Sequence, residues 1–292
     1  IRAQIRTDNS SDGTDHHIDR HKRHILKDIS KITVEESPSF SGIVTRECKG
    51  NLWVDEIIHP QIALAHSYAV DSFAFLGECH DRNVLHKLKA FLDDTLFLEL
   101  KETGNDYFEF SIESEQLREH ILSMWADKEM YSEQEHSFRI EPFDKINQSE
   151  ENLLPDGYQL IEVNNVFWKQ QMGGKYENPT FLTTRLLESW YSFDDFIEHS
   201  LGYCVVFENR IVGVILGTAS YHSVVPIDIE TEDTHRKKGI AYALSIRFIR
   251  GCMERNLIPQ WDCVESNIAS NHLARKIGFQ EFRANTVYWF QI

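Results

Sequence analysis

Arg236, Lys237 and Lys238 stand directly before Gly239, Ile240 and Ala241, where a strand gives way to a long amphipathic helix. A helix start leaves backbone N–H groups without partners and carries a partial positive charge. Gly239 and Ala241 keep the side chains small, so an anion can come close to those N–H groups. Three cations beside such a cradle suit a diphosphate better than a carboxylate. A basic turn that merely caps a surface helix is the other reading. The turn is neither a Walker loop nor a dinucleotide fingerprint, since GxxxxGK followed by Ser or Thr and GxGxxG are both absent. Just upstream, Asp228 and Glu230 alternate with Ile227 and Ile229, so the two carboxylates share one strand face. There they could take a proton from a reacting amine, or simply form a solvated acidic edge. Asp262 adds a third carboxylate on the next predicted strand.

Downstream of Trp261-Asp262-Cys263, a helix opens at Ser266 or Asn267 and continues through Ser270, Leu273 and Lys276 to Gly278 and Phe279. Asn267 can cap that helix; its amide can equally offer donors and acceptors to a ligand. Together the two clusters resemble the GCN5-related N-acetyltransferase (GNAT) family. Arg236, Gly239 and Ala241 match its R/Q-x-x-G-x-G/A acyl-CoA loop. Asn267, Ser270, Leu273, Lys276, Gly278 and Phe279 match its N-x-x-S/A-x-x-L-x-x-K-x-G-F helix. Residues 50–77 with Trp53-Val54-Asp55 and Pro60, residues 190–196, 202–206, 230–241 and 259–263 further resemble the subfamily of zwittermicin A resistance acetyltransferases, a likeness over most of residues 40–292.

The resemblance implies an enzyme that moves an acetyl group from acetyl-CoA directly to the amine of a small molecule. It implies a cofactor cleft between two parallel strands, 224–231 and 259–264. Main-chain groups near Ile229 and Thr231 would hold the pantetheine arm. Arg236, Lys237, Lys238, Gly239, Ile240 and Ala241 would hold the diphosphate, with Asn267 and Ser270 along the cofactor. Glu230 is then the first candidate base, followed by Asp228 and Asp262. Many relatives place a Tyr just after the Leu of the last helix, as acid for the leaving thiolate; here that position is Ala274. Tyr288, Cys263, water, or unaided departure of the thiolate would have to replace it. Cys263 and Cys252 read as packing residues, since neither has an adjacent His to activate it. The alternative function is a degenerate acyl-CoA-binding or protein-interaction module, and O-acetyl transfer would use the same cofactor site.

These residues need elements to hold them, and the second half supplies a β-α-α-β-β-β-α-β-α-β order. That order predicts an α/β fold with mixed strand directions, and the resemblance implies a GNAT-like mixed sheet flanked by helices over residues 151–292. In the helix at 239–255, Ile240, Leu244, Phe248 and Cys252 recur every four residues. A smaller α/β domain is expected at 24–150, with a strand meander over 50–77, a helix from 81, a strand around 96–100, a strand at 107–112 and a helix at 115–125. Pro38 is expected to break the structure of 24–49, and no chemical motif stands out in this half. Residues 1–23 read as a polar, disordered tail, and His17, His21 and His24 at its end would share a helical face; a charged helix entrance or disordered tail is preferred to a metal site there.

Lys plus Arg number 30 against 46 Asp plus Glu, a formal charge of −16, which argues against nucleic-acid binding and weakly favours a cationic acceptor. No apolar run reaches ~18 residues, so no membrane helix is expected. An N-terminus without a signal-peptide core and five cysteines without a CxxC pair fit a cytoplasmic protein. Residue 1 is Ile, as in a processed or trimmed product. A homo-oligomer is compatible with all of this.

Overall fold

The computed structural model describes residues 3–6, 32–140 and 154–292. The chain divides into two units, residues 1–135 with 285–292, and residues 136–284. Sequence reasoning placed the boundary near 150 and kept the C-terminal strand with the second domain. The last eight residues join the first unit instead, because Phe290 is fully buried in its core. The histidines of the expected tail lie outside the described residues. Within that tail, residues 3–6 form a strand.

In the first unit, β1 (Ala3–Arg6) pairs antiparallel with β2 (Gly50–Val54). The meander continues through β3 (Ile62–Ser67) and β4 (Ser72–Gly77), with Ala65 between Leu52 and Ala74. The helix α1 (Pro38–Thr45) begins at Pro38 rather than breaking there. A proline at the first helical turn loses no hydrogen bond, and its φ already suits a helix. After β4, α2 (Arg82–Phe91) runs through a π-turn (Leu92–Leu96) into α3 (Phe97–Glu102). The strand expected around 96–100 is therefore helical. Leu85, Leu88, Leu92 and Leu96 are all buried, a three-or-four spacing that forms one helical stripe, whereas Leu98 is 53% exposed. The chain returns as β5 (Tyr107–Ile112), parallel to β4, and α4 (Glu115–Met124) follows. The last strand, β12 (Gln280–Gln291), pairs with β5 and sets Tyr288 opposite Phe110. Phe73, Phe75, Phe108, Phe110 and Trp125 fill the core between sheet and helices.

The second unit receives the end of β6 (Tyr131–Arg139). Its sheet then runs β7 (Tyr158–Glu162), β8 (Gly202–Phe207), β9 (Arg210–Gly217), β10 (Val224–Thr231) and β11 (Ile258–Val264) in spatial order. Neighbours are antiparallel until β10 and β11, which are parallel. Between β7 and β8 lie α5 (Asn165–Met172), α6 (Thr180–Ser189) and α7 (Phe193–His199). The first of these was missed by sequence reasoning. Its signal was Asn164, whose Oδ1 accepts from the N–H groups of Val166 (3.0 Å) and Phe167 (3.1 Å).

A long helix, α8 (Ile240–Glu254), crosses from β10 to β11, and α9 (Ile268–Ile277) follows β11. The four-residue stripe Ile240, Leu244, Phe248 and Cys252 packs on Tyr203, Val205, Val212 and Val225. Ala274 and Ile277 pack with Trp261, Cys263 and Phe138. A Cβ at Gly213 would come within 2.6 Å of Ile240, so this glycine lets the start of α8 sit down on β9. Among the described residues no helix is long and apolar enough to cross a membrane.

Candidate active site

Parallel pairing between β10 and β11 covers only Val224 with Ile258, Val225 with Pro259 and Pro226 with Gln260. Beyond Pro226, β10 keeps its antiparallel partner β9, from Ile227 opposite Gly217 to Thr231 opposite Gly213. The two parallel strands therefore part. Hydrogen-bond parity shows what the parting exposes. Thr218 N donates to Pro226 O (3.0 Å) and Glu232 N donates to Val212 O (2.9 Å). Even-numbered residues of β10 thus turn their main chain to β9, and Ile227, Ile229 and Thr231 turn theirs toward β11. Arg236 Nε takes the Thr231 carbonyl at 3.2 Å. The Thr231 hydroxyl is buried and has no hydrogen-bond partner among the described residues.

The turn after β10 is a short 3-10 helix, Asp233–His235, and then α8 begins. Lys237 has φ 62° and Gly239 φ 80°, both left-handed. Glycine takes that conformation without cost, and as N-cap it supplies no side-chain oxygen to the first helical N–H groups. Arg236 also pairs with Asp233 at 2.8 Å. Lys238 Nζ donates to Tyr158 OH (2.9 Å), which lies 2.8 Å from His235 Nδ1. The three cations are thus not equivalent. All three are exposed, but Arg236 ties the turn back to the strand and Lys238 rests on Tyr158.

Ile227 and Ile229 pack toward α8 and α9, so Asp228 and Glu230 face the other side of the sheet, as their alternation predicted. There Arg185 of α6 meets both. Its guanidinium lies 2.7 Å from Asp228 Oδ2 and also bonds Glu230. Sequence reasoning missed Arg185. The amphipathic pattern of α6 marks Leu182 and Leu186 as core but gives no sign that Arg185 would meet β10. Asp262 projects to the same sheet face as these carboxylates, because Trp261 and Cys263 take the α9 side. Gln260 Nε2 donates to both its oxygens, at 3.0 and 3.1 Å, and Arg139 holds Gln260 Oε1 at 2.9–3.0 Å. Burial pushes the Asp262 pKa up to about 6, against hydrogen bonds from Ser137 and Gln260 and the charges of Arg283 and Arg139.

A family model described as GNAT acetyltransferase matches residues 32–288. The chain belongs to the GNAT acetyltransferase family. A protein of Bacillus subtilis (strain 168) named Uncharacterized N-acetyltransferase YdfB is 34% identical over 102 residues, 35% of this chain and 39% of that protein. The fold is similar to that of a GCN5-related N-acetyltransferase-like protein from Streptococcus suis 89/1591, with a TM-score of 0.60 at 18% identity over 94% of this chain and 99% of that one. It is similar to a tandem GNAT protein from the clavulanic acid biosynthesis pathway too, with a TM-score of 0.60 at 9% identity over 99% and 97% of the two chains.

Two residues matched to the GNAT motifs have structural partners. Asn267 caps α9 by accepting from Ser270 N at 3.1 Å, and Trp261 Nε1 donates to Ser270 Oγ at 2.8 Å. Ala274 is fully buried in the core beneath α9. All five cysteines are buried and unbridged. Burial raises the thiol pKa of Cys204 and Cys252, which keeps both poor nucleophiles.

Proposed function

We propose that the second unit binds acetyl-CoA and passes its acetyl group directly to the amine of a small molecule. One conjunction carries the reading: β10 and β11 part immediately beside a helix start that no side chain caps. The main-chain groups of Ile227 and Ile229 would pair with the amides of the pantetheine arm. The buried hydroxyl of Thr231 would gain the partner it lacks. The N–H groups of Ile240 and Ala241, with Lys237 and Lys238, would receive the diphosphate while Arg236 keeps the turn in shape. Asn267 and Ser270 would hold the start of α9 beside the same ligand.

The thioester supplies an activated carbonyl and a stable thiolate leaving group. This chain has to position the acceptor amine and keep it neutral. Asp262 suits that task best. With a pKa near 6 it is largely ionised at pH 7 yet more basic than an ordinary aspartate. Asp228 and Glu230, shared by one arginine, leave a net negative charge on that face, which favours a cationic acceptor. Unbridged cysteines fit work in the cytoplasm.

Calorimetry with acetyl-CoA tests the cofactor site, with 3′-dephospho-CoA as comparison. Micromolar binding supports it, and no binding at millimolar ligand removes it. A second reading, a sensor that binds acyl-CoA without turnover, is favoured by the Arg185 contacts of Asp228 and Glu230 and by Ala274. Thiol release measured with and without a panel of amines separates the two.

A further inference from the structure

The first unit has a cavity of its own, about 60 Å³, between α2 and the β2–β3 hairpin. Trp53, Ile62, Leu64, Val84 and Leu88 form its apolar wall, and Asp55, Glu56 and Lys87 its polar part. Asp55 is the informative residue. Its Oδ1 accepts from Gln61 N at 2.9 Å and Ile62 N at 3.3 Å, which fixes the carboxylate at the end of β2. Its Oδ2 is buried and has no hydrogen-bond partner among the described residues. A buried acceptor without a donor is costly, and more so when it carries charge. Lys87 does not resolve this, since no ion pair joins it to Asp55 or Glu56 among the described residues. Two carboxylates against one ammonium leave one negative charge to balance.

We propose that this cavity is a binding site for a primary alkylammonium, with the charged nitrogen on Asp55 and the chain against Trp53, Val84 and Leu88. The nitrogen supplies the donor that Oδ2 lacks. The alkyl chain covers apolar wall that no described residue fills. A neutral alcohol of the same length satisfies the shape but not the charge, and a carboxylate opposes Asp55 and Glu56. The site lies wholly within the first unit and does not depend on the proposed acetyl transfer.

The test uses the full chain and n-butylammonium chloride, followed by the indole N–H resonances in 15N-labelled protein, with Trp53 assigned through Trp53→Phe. A saturable shift of the Trp53 signal is expected, at least ~10-fold weaker for n-butanol and absent for butyrate. Asp55→Asn keeps an oxygen for Gln61 N and Ile62 N but replaces the unpaired oxygen with a donor, so binding should weaken at least ~10-fold in a folded protein. Val84→Phe, which narrows the cavity without touching the charge, should weaken butylammonium and butanol alike. Equal binding by Asp55→Asn and wild type, or no saturable shift up to ~50 mM, overturns the proposal.

Discussion

Two crossovers in this molecule follow the same path and end differently. In the first unit, β4 leads through α2 to the parallel strand β5; in the second, β10 leads through α8 to the parallel strand β11. Each pair shares three parallel partners. After the last of these, Phe75 with Ile112, β4 has only two residues left, ending at Gly77. After Pro226 with Gln260, β10 runs five residues further, to Thr231, and opens the main chain of Ile227 and Ile229. The helix starts differ in the same sense. Asp81 caps α2, its carboxylate accepting from Asn83 N at 2.8 Å, so a negative side chain already sits on the positive end of that helix. Gly239 caps α8 with nothing. The loop before α2 carries Glu78 and Asp81, and the turn before α8 carries Arg236, Lys237 and Lys238. The shared topology therefore does not by itself distinguish the two crossovers. What sets the proposed cofactor site apart is a strand that outruns its partner and a helix start left open to an anion.

The sharpest way to break this comparison is Gly239→Glu. It puts an acid where Asp81 stands in the first unit and strains a left-handed backbone position. Acetyl-CoA affinity should fall at least ~100-fold in calorimetry on folded protein. Affinity within a few-fold of wild type would mean that the helix start does not hold the diphosphate.

The next effect concerns Asp262. Asp262→Asn should lower kcat by about 10²-fold and abolish a rising limb in the pH–rate profile centred near 6. Glu230→Gln should leave that limb in place. A limb that survives in Asp262→Asn and vanishes in Glu230→Gln would move the base to β10. Stability responds as well. Asp262 titrates higher in the folded chain than in the unfolded one, so between the ordinary aspartate range and about 6 the native state holds more protons. Its contribution to stability then falls as pH rises through that window and stays low above it. Asp262→Asn should therefore gain in Tm relative to wild type at pH 8 compared with pH 4.

Smaller still is Arg185→Gln. It leaves Asp228 and Glu230 facing each other without their shared cation, and roughly 1 kcal/mol of stability should be lost in denaturant melts, given their partial exposure. Asp81→Ala should likewise cost about 1 kcal/mol, through loss of the cap, and leave acetyl-CoA affinity unchanged. A change in affinity would assign the first crossover a part in cofactor binding.

Much of the candidate site was legible because its signals are local. Gly239 ahead of a four-residue apolar stripe fixes a helix start, and the alternation of Asp228 and Glu230 with isoleucines fixes a shared face. Asn267 offers a cap or a ligand contact in sequence, and the cap is the local one of the two, formed with Ser270 N. The misreadings arose where a short segment fits two patterns. Leu96-Phe97-Leu98 looks like a strand in isolation and becomes a helix because Leu92 and Leu96 extend the stripe of α2. Arg185 and the Ser137–Gln260–Arg139 surroundings of Asp262 could not be found in sequence at all, since each joins residues from separate elements.

By itself, then, the sequence determined the α/β order of the second half, the open helix start and the GNAT motifs, all of which depend on residues within a few positions of one another. Only the tertiary structure decided where β10 leaves β11, which carboxylates are held by Arg185, and that Asp262 is raised toward neutrality. Those properties depend on register, burial and charges brought together from distant parts of the chain, and no local pattern encodes them.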